Sequence, residues 1–249
     1  MSDQTASTPD AVASRSAGRR RRGWGAFFRD LLVIVLIALV VSFLVKTFVV
    51  RSFYIPSGSM EQTLLVNDRI LVDELTPRWT GYERGDVVVF KDPGGWLPPA
   101  IQEPAQPPLA AFVDGVLTFI GISASDSQDH LVKRLIGLPG DHVVCCNSLG
   151  QVSVNGSPVD ELSYLNLPEG DTLASEEPFD VTVPEGQLWL LGDNRDRSQD
   201  ARAHQDLPSG GFVPLDNVVG KAFLTTWPLD RIGVIDGHHE VFNGVPEPE

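Results

Sequence analysis

The chain has 249 residues, 42% of them hydrophobic, enough to bury one large core or two small ones. Its formal charge of −14 is unevenly spread: residues 1–50 carry seven Lys or Arg against three acids, a net of +4, so the remainder carries −18. An acidic body behind a basic head argues against nucleic acid as the main partner, because a phosphate-binding body would be basic, and suits a chain sorted across a membrane.

Residues 1–18 are rich in Ser, Thr, Ala and Asp without apolar periodicity and read as disordered, part of a cytoplasmic basic tail over 1–30. The arginine cluster Arg19–Arg22 precedes LLVIVLIALVVSFLVKTFVV, residues 31–50. Twenty such residues span about 30 Å as a helix, one bilayer core. The rival reading is a cleaved secretory signal, but the run ends in KTFVVRSF without a small-x-small site. It reads as an uncleaved single-pass anchor. The arginines before it place the N-terminus in the cytoplasm and residues 51–249 outside.

Beyond the anchor the pattern is mainly β. DVVVF (86–90), HLVKRLIG (130–137), HVVCC (142–146), QVSVNG (151–156), FDVTV (179–183) and LWLLG (188–192) are short apolar or β-branched runs separated by Gly, Pro, Asp and Asn. They predict an antiparallel, barrel-like catalytic domain over 51–146 and 184–235, with a smaller β lobe over 147–183. A Pro-rich stretch makes 92–129 a mobile insertion, with a short apolar helix or hairpin at 109–122. An acidic tail from 236 reads as loose. The cysteines, Cys145 and Cys146, are adjacent; this is poor metal spacing, and two strand residues on opposite faces is the plainer reading. The five histidines show no H-x-x-x-H pattern, so neither metal nor cofactor is expected.

Two stretches carry chemistry. IPSGSMEQTL (55–64) holds Ser57 and Ser59, but a serine hydroxyl needs a base to act as a nucleophile. A G-x-S-x-G hydrolase elbow does not fit, since no parallel βαβ pattern surrounds it. The other solution is a lysine kept neutral by burial. In HLVKRLIG, Lys133 shares a face with Leu131 and Leu135, and Arg134 shares the other with Val132 and Ile136. Arginine stays protonated, so only Lys133 can be the base, and Arg134 pairs with an acid or meets solvent. On spacing alone, an edge strand bearing two basic residues explains the same pattern.

PSGSMEQTL (56–64), RGDVVVF (84–90), KRLIGLPGD (133–141) and GDNRDRSQDAR (192–202), in that order behind an anchor, resemble the successive boxes of bacterial type I signal peptidases. The resemblance implies a membrane-bound serine endopeptidase that removes signal peptides from exported preproteins after small residues. By position, Ser59 matches the nucleophile, Lys133 the general base, and Ser57 the hydroxyl that joins the Ser59 N–H in an oxyanion hole. Ser198 matches the serine that orients the lysine; Asp193, Asp200 and Arg202 match structural support. The last box reads Asp200-Ala201-Arg202 where the family often has D-S-R, and Gln62 stands where proline is common; neither change touches this chemistry. Phe53, Ile55, Met60, Leu64, Leu131 and Val132 are candidates for shallow substrate pockets, with the substrate adding as a strand beside 53–57 and 130–134. The implied partners are signal peptides, the lipid bilayer of the plasma membrane and the secretion translocon. Two rivals remain: a self-cleaving Ser/Lys protein of the repressor kind, which would carry a DNA-binding head rather than an anchor, and a non-catalytic anchored relative, which would lack the serine or the lysine.

Overall fold

The computed structural model describes residues 24–98, 129–168 and 170–248, with the backbone alone at 43–48. The expected disordered tail lies almost wholly, and the 109–122 element and most of the 92–129 insertion lie, outside these residues.

Helix α1 runs Trp24–Phe48, and its stretch Trp24–Ser42 is long and apolar enough to cross a membrane. Leu31 to Val41 are exposed apolar side chains on every side of the helix. The helix starts earlier than the 31–50 run and stops before its end. Val50 instead opens strand β1 (Val50–Tyr54), pairing with Asp73.

The rest of the chain is mainly β. The strands are β2 (Arg69–Asp73), β3 (Val87–Lys91), β4 (His130–Gly137), β5 (His142–Cys145), β6 (Val152–Val154), β7 (Ser157–Pro158), β8 (Phe179–Thr182), β9 (Gln187–Leu191), β10 (Val213–Pro214), β11 (Val218–Trp227) and β12 (Gly233–Val234). A one-turn helix α2 (Pro77–Thr80) follows β2. Eight strands form a curled antiparallel sheet in the order β1-β2-β11-β3-β4-β9-β10, with β12 beside β11; a second sheet has the order β7-β6-β5-β8. The smaller lobe therefore begins at His142 rather than at 147.

Alternation along β3 explains the unbroken apolar run there. Val88 and Phe90 join a core with Leu135, Leu190 and Trp189, while Val87 and Val89 join a second core with Phe53, Ile70 and Val72. Both faces are buried, so neither has polar positions. The C-terminal segment is held in place, contrary to a loose tail: Phe242 packs into the first core and Pro246 O accepts from Asn155 Nδ2 at 2.8 Å. Cys145 and Cys146 are joined in a disulfide. The expected strand alternation does not separate them, because β5 ends at Cys145.

Candidate active site

The residues 57–63 form a tight turn between β1 and β2. Its frame is local: Glu61 N–H donates to Gly58 O at 3.1 Å and Leu64 N–H to Met60 O at 2.7 Å. Gly58 is not in the left-handed region, and a Cβ there would meet only the Glu61 carboxylate, 2.6 Å from Oε1, the movable end of a flexible side chain. Ser59 is buried and Ser57 exposed, with their hydroxyl oxygens 3.4 Å apart. The Ser59 carbonyl accepts from Asn194 N–H at 3.1 Å, while the Ser59 N–H donates to no acceptor among the described residues. A free N–H and a hydroxyl two residues earlier are the donors that an oxyanion needs.

Lys133 reaches this turn from β4. Its Nζ lies 2.7 Å from Ser59 Oγ, and the side chain is 3% exposed. Burial pulls the Lys133 amine down to about 8, against the carboxylates of Asp200 and Asp193, which pull it up; the Arg202 charge helps to lower it. No carboxylate among the described residues is within salt-bridge distance of Nζ.

Ser198 does not make the expected bond. Its hydroxyl is buried beside Gly192 and has no partner among the described residues, Lys133 included. The packing there is tight: a Cβ on Gly192 would collide with Ser198 Oγ and the Ser59 carbonyl. Gly192 thus lets the GDNRD segment press against the Ser59 backbone. An unpaired buried hydroxyl carries a cost of about 1–3 kcal/mol.

Asp193, Asp200 and Arg202 are buried, unlike a surface pair. Arg202 donates to both carboxylate oxygens of Asp200 at 2.8 Å, and Gly192 N–H donates to Asp200 Oδ2 at 3.0 Å. Burial alone would raise the Asp200 carboxyl, but the hydrogen bond and charge of Arg202 hold it below its ordinary value. Asp193 accepts a two-pronged bond from Arg134, 2.8 Å on each prong. Sequence reasoning missed the residues tying these to the turn: Thr63, which donates to Asp193, and Asn194, whose Nδ2 donates to Glu61 at 3.1 Å. Thr63 and Asn194 lie within PSGSMEQTL and GDNRD, so the joint presence of those two stretches was the available signal.

Beside the pair Ser59–Lys133 lies a cleft of about 470 Å³ lined by Phe53, Ile55, Met60, Leu131 and Val132, together with Tyr54, Pro56, Ser57, Leu97 and His130. Five of the six expected pocket residues line it. The sixth, Leu64, is fully buried in the second core. The strand pairing leaves room for an extended peptide: β4 pairs with β3 from His130 onward but with β9 only from Arg134 onward, so one edge of 131–133 has no strand partner among the described residues. Away from this cleft, Asp236, His238 and Glu240 bring ligand-type atoms within 4.8 Å of one another, but His238 already bonds to Glu240 and Ser163, and surface carboxylates need no ion.

The family model described as signal peptidase, peptidase S26, matches residues 28–227. The chain is 39% identical over 222 residues to a signal peptidase I of Mycobacterium tuberculosis, covering 83% of this chain and 75% of that protein. It is 34% identical to a probable signal peptidase I of Mycobacterium leprae, covering 93% and 87%. A crystal structure of a signal peptidase I from Enterococcus faecalis V583 matches at 25% identity with a TM-score of 0.34, covering 56% of this chain and 95% of that one. With four-fifths of its length under one family model and with relatives at this identity, the chain belongs to the signal peptidase family, peptidase S26.

Proposed function

We propose that this protein is a membrane-anchored endopeptidase that cleaves N-terminal signal peptides from exported precursors after small residues, with Ser59 as nucleophile and neutral Lys133 as general base. The observation that carries this reading is the 2.7 Å approach of a buried amine, lowered to about 8, to a buried serine hydroxyl. At pH 7 roughly one lysine in ten is then neutral, against fewer than about one in a thousand for an ordinary lysine.

The reaction runs as acyl transfer. Lys133 Nζ takes the Ser59 proton while Oγ attacks the scissile carbonyl carbon, and the carbonyl oxygen becomes an oxyanion. Ser57 Oγ–H and Ser59 N–H donate to it, each such donor being worth about 3 kcal/mol. Collapse breaks the C–N bond, and the Lys133 ammonium gives its proton to the leaving amine. Water then attacks the Ser59 ester with Lys133 again as base, releasing the signal peptide and restoring both side chains. An apolar substrate over the cleft would exclude water from Nζ and lower it further.

The edge of 131–133, which has no strand partner among the described residues, supports binding of the substrate as an added strand. The apolar helix supports anchoring in the plasma membrane, with residues 1–23 cytoplasmic and the catalytic domain outside by the arginine bias. Ser59 lies eleven positions after Phe48, a reach of at most about 40 Å, which keeps the nucleophile near the bilayer that holds its substrate. Contact with the secretion translocon follows from the same reading.

Precursor processing in membrane extracts tests the pair. Ser59→Ala and Lys133→Ala should both reduce product to background, and undiminished cleavage by either variant sinks the assignment. The pH profile gives an independent check: kcat/KM should level above about 8 and fall about tenfold per unit below it, whereas a rate flat down to pH 4 contradicts a neutral base. Orientation is read from protease added outside intact cells, which should degrade the domain after α1.

A further inference from the structure

Leu97 is the one cleft residue on a loop that no motif marked, and its position is built with care. Just after β3, the Asp92 carboxylate accepts from the N–H groups of Gly94 at 2.9 Å, Trp96 at 3.1 Å and Leu97 at 3.2 Å, winding the chain into a tight knuckle. Trp96, buried, lies flat on His204, with ring centres 4.5 Å apart and planes 3° from parallel, and edge-on to Phe90 at 5.5 Å. His204 Nδ1 is 2.7 Å from Asp200 O, and Asp200 is the residue that also holds Arg202 and Gly192. The knuckle is therefore clamped to the same buried segment that presses on Ser59. It leaves Leu97 half-buried and lining the cleft that holds Ser59 and Lys133.

The other apolar walls differ in kind. Phe53, Ile55 and Met60 are fully buried members of the second core, and the half-buried Leu131 and Val132 pack against the first and second cores, so changing any of these changes core packing. Leu97 belongs to neither core's buried set, and its truncation enlarges the cleft without opening either. An apolar side chain held firmly at the rim sets how large a substrate side chain can enter.

Resting on the endopeptidase reading above, we propose that Leu97 is a specificity-determining residue: a clamped wall that restricts the cleft to small side chains, and whose removal admits larger ones. A pocket discriminates by about 10- to 200-fold per methylene, so losing the outer carbons of a leucine is a large change on this scale.

The test uses the full-length enzyme in detergent and three peptides spanning one precursor cleavage site: Ala at both recognition positions, Leu in place of Ala immediately before the cut, and Leu in place of Ala two residues further upstream. For wild type, Leu97→Ala and Leu97→Phe, the readout is the ratio of kcat/KM for the Ala peptide to that for each Leu peptide. Leu97→Ala should lower this ratio at least tenfold at one of the two positions, and Leu97→Phe should raise it there. Asp92→Ala, which frees the knuckle, should shift it in the same direction as Leu97→Ala. Ratios unchanged at both positions, or an equal loss on all three peptides, would overturn the proposal. Ser59→Ala run alongside separates the two failures: continued cleavage by it removes the endopeptidase reading, while a dead Ser59→Ala with unchanged Leu97→Ala ratios removes only the wall.

Discussion

On one side of β4, the Lys133 amine meets a serine hydroxyl and apolar walls; on the other, the Arg134 guanidinium meets Asp193, Thr63, and the carbonyls of Gly85, Asp236 and Gly237, with the Tyr164 ring 4.2 Å away. The two residues are neighbours in sequence and buried to nearly the same degree, 3% and 0% exposed. Desolvation works against both charges. For Lys133 it wins and the amine falls to about 8; for Arg134 the attraction of Asp193 overrides it and the group stays above its ordinary value. Burial alone does not decide the charge of a buried cation. The acceptors within reach decide it, and here they are crowded onto one face of a strand and withheld from the other.

The sharpest way to break this contrast is to place an arginine on the lysine side. Lys133→Arg keeps a basic side chain but cannot shed its proton, so kcat/KM should fall by about 10²–10⁴-fold, the range expected for loss of a general base. Retention of even a tenth of the activity would mean that the base is elsewhere. Thermal unfolding of the same variant should show whether the fold survives the change.

The arginine side answers to stability instead. Arg134→Leu leaves the Asp193 carboxylate buried without its cation and three carbonyls without a donor. The expected cost is about 3–5 kcal/mol, read as a lowered midpoint of denaturation. Adding Asp193→Leu should recover part of that loss, because the unpaired charge is then gone while the carbonyls remain unsatisfied. A cycle over the two positions that comes out additive would show that the pair is not coupled.

The contrast was partly legible in the sequence. The alternation in HLVKRLIG separates Lys133 from Arg134, and the chemistry of arginine excludes it as a base. The partner of Arg134 was not legible, because Asp193 lies 59 residues away and only the pairing of β4 with β9 brings it across. The runs DVVVF and LWLLG read directly as strands because both of their faces are buried. Strand β11, the longest, hides because Gly220, Lys221 and Ala222 interrupt its apolar pattern and two register shifts break its alternation against β2. Strand β1 hides because Val49 and Val50 continue the apolar run of the helix. Leu64 looked like a pocket residue by proximity to Ser59, but the turn carries it inward to the core. Leu97 offered no signal, since its place depends on a knuckle of side-chain-to-backbone bonds and a ring stack with a residue more than a hundred positions away.

The last prediction measures what the fold gives up to lower the Lys133 amine. In the unfolded chain the amine holds its proton to about 10.4, and in the fold only to about 8. Between these values the unfolded state binds more protons, so this residue makes stability rise as pH increases from about 8 to about 10.5. Below about 8 both states are protonated and the fold bears the whole difference, about 3 kcal/mol. Lys133→Met keeps the apolar stem and removes the charge. It should therefore be more stable than wild type by up to about 3 kcal/mol at pH 7 and by only about 1 kcal/mol at pH 10. Denaturation of the full chain in detergent at the two pH values checks both the sign and the convergence. A difference that does not shrink with pH would mean that the lysine is not the group that titrates, and the two faces of β4 would then differ in packing rather than in charge.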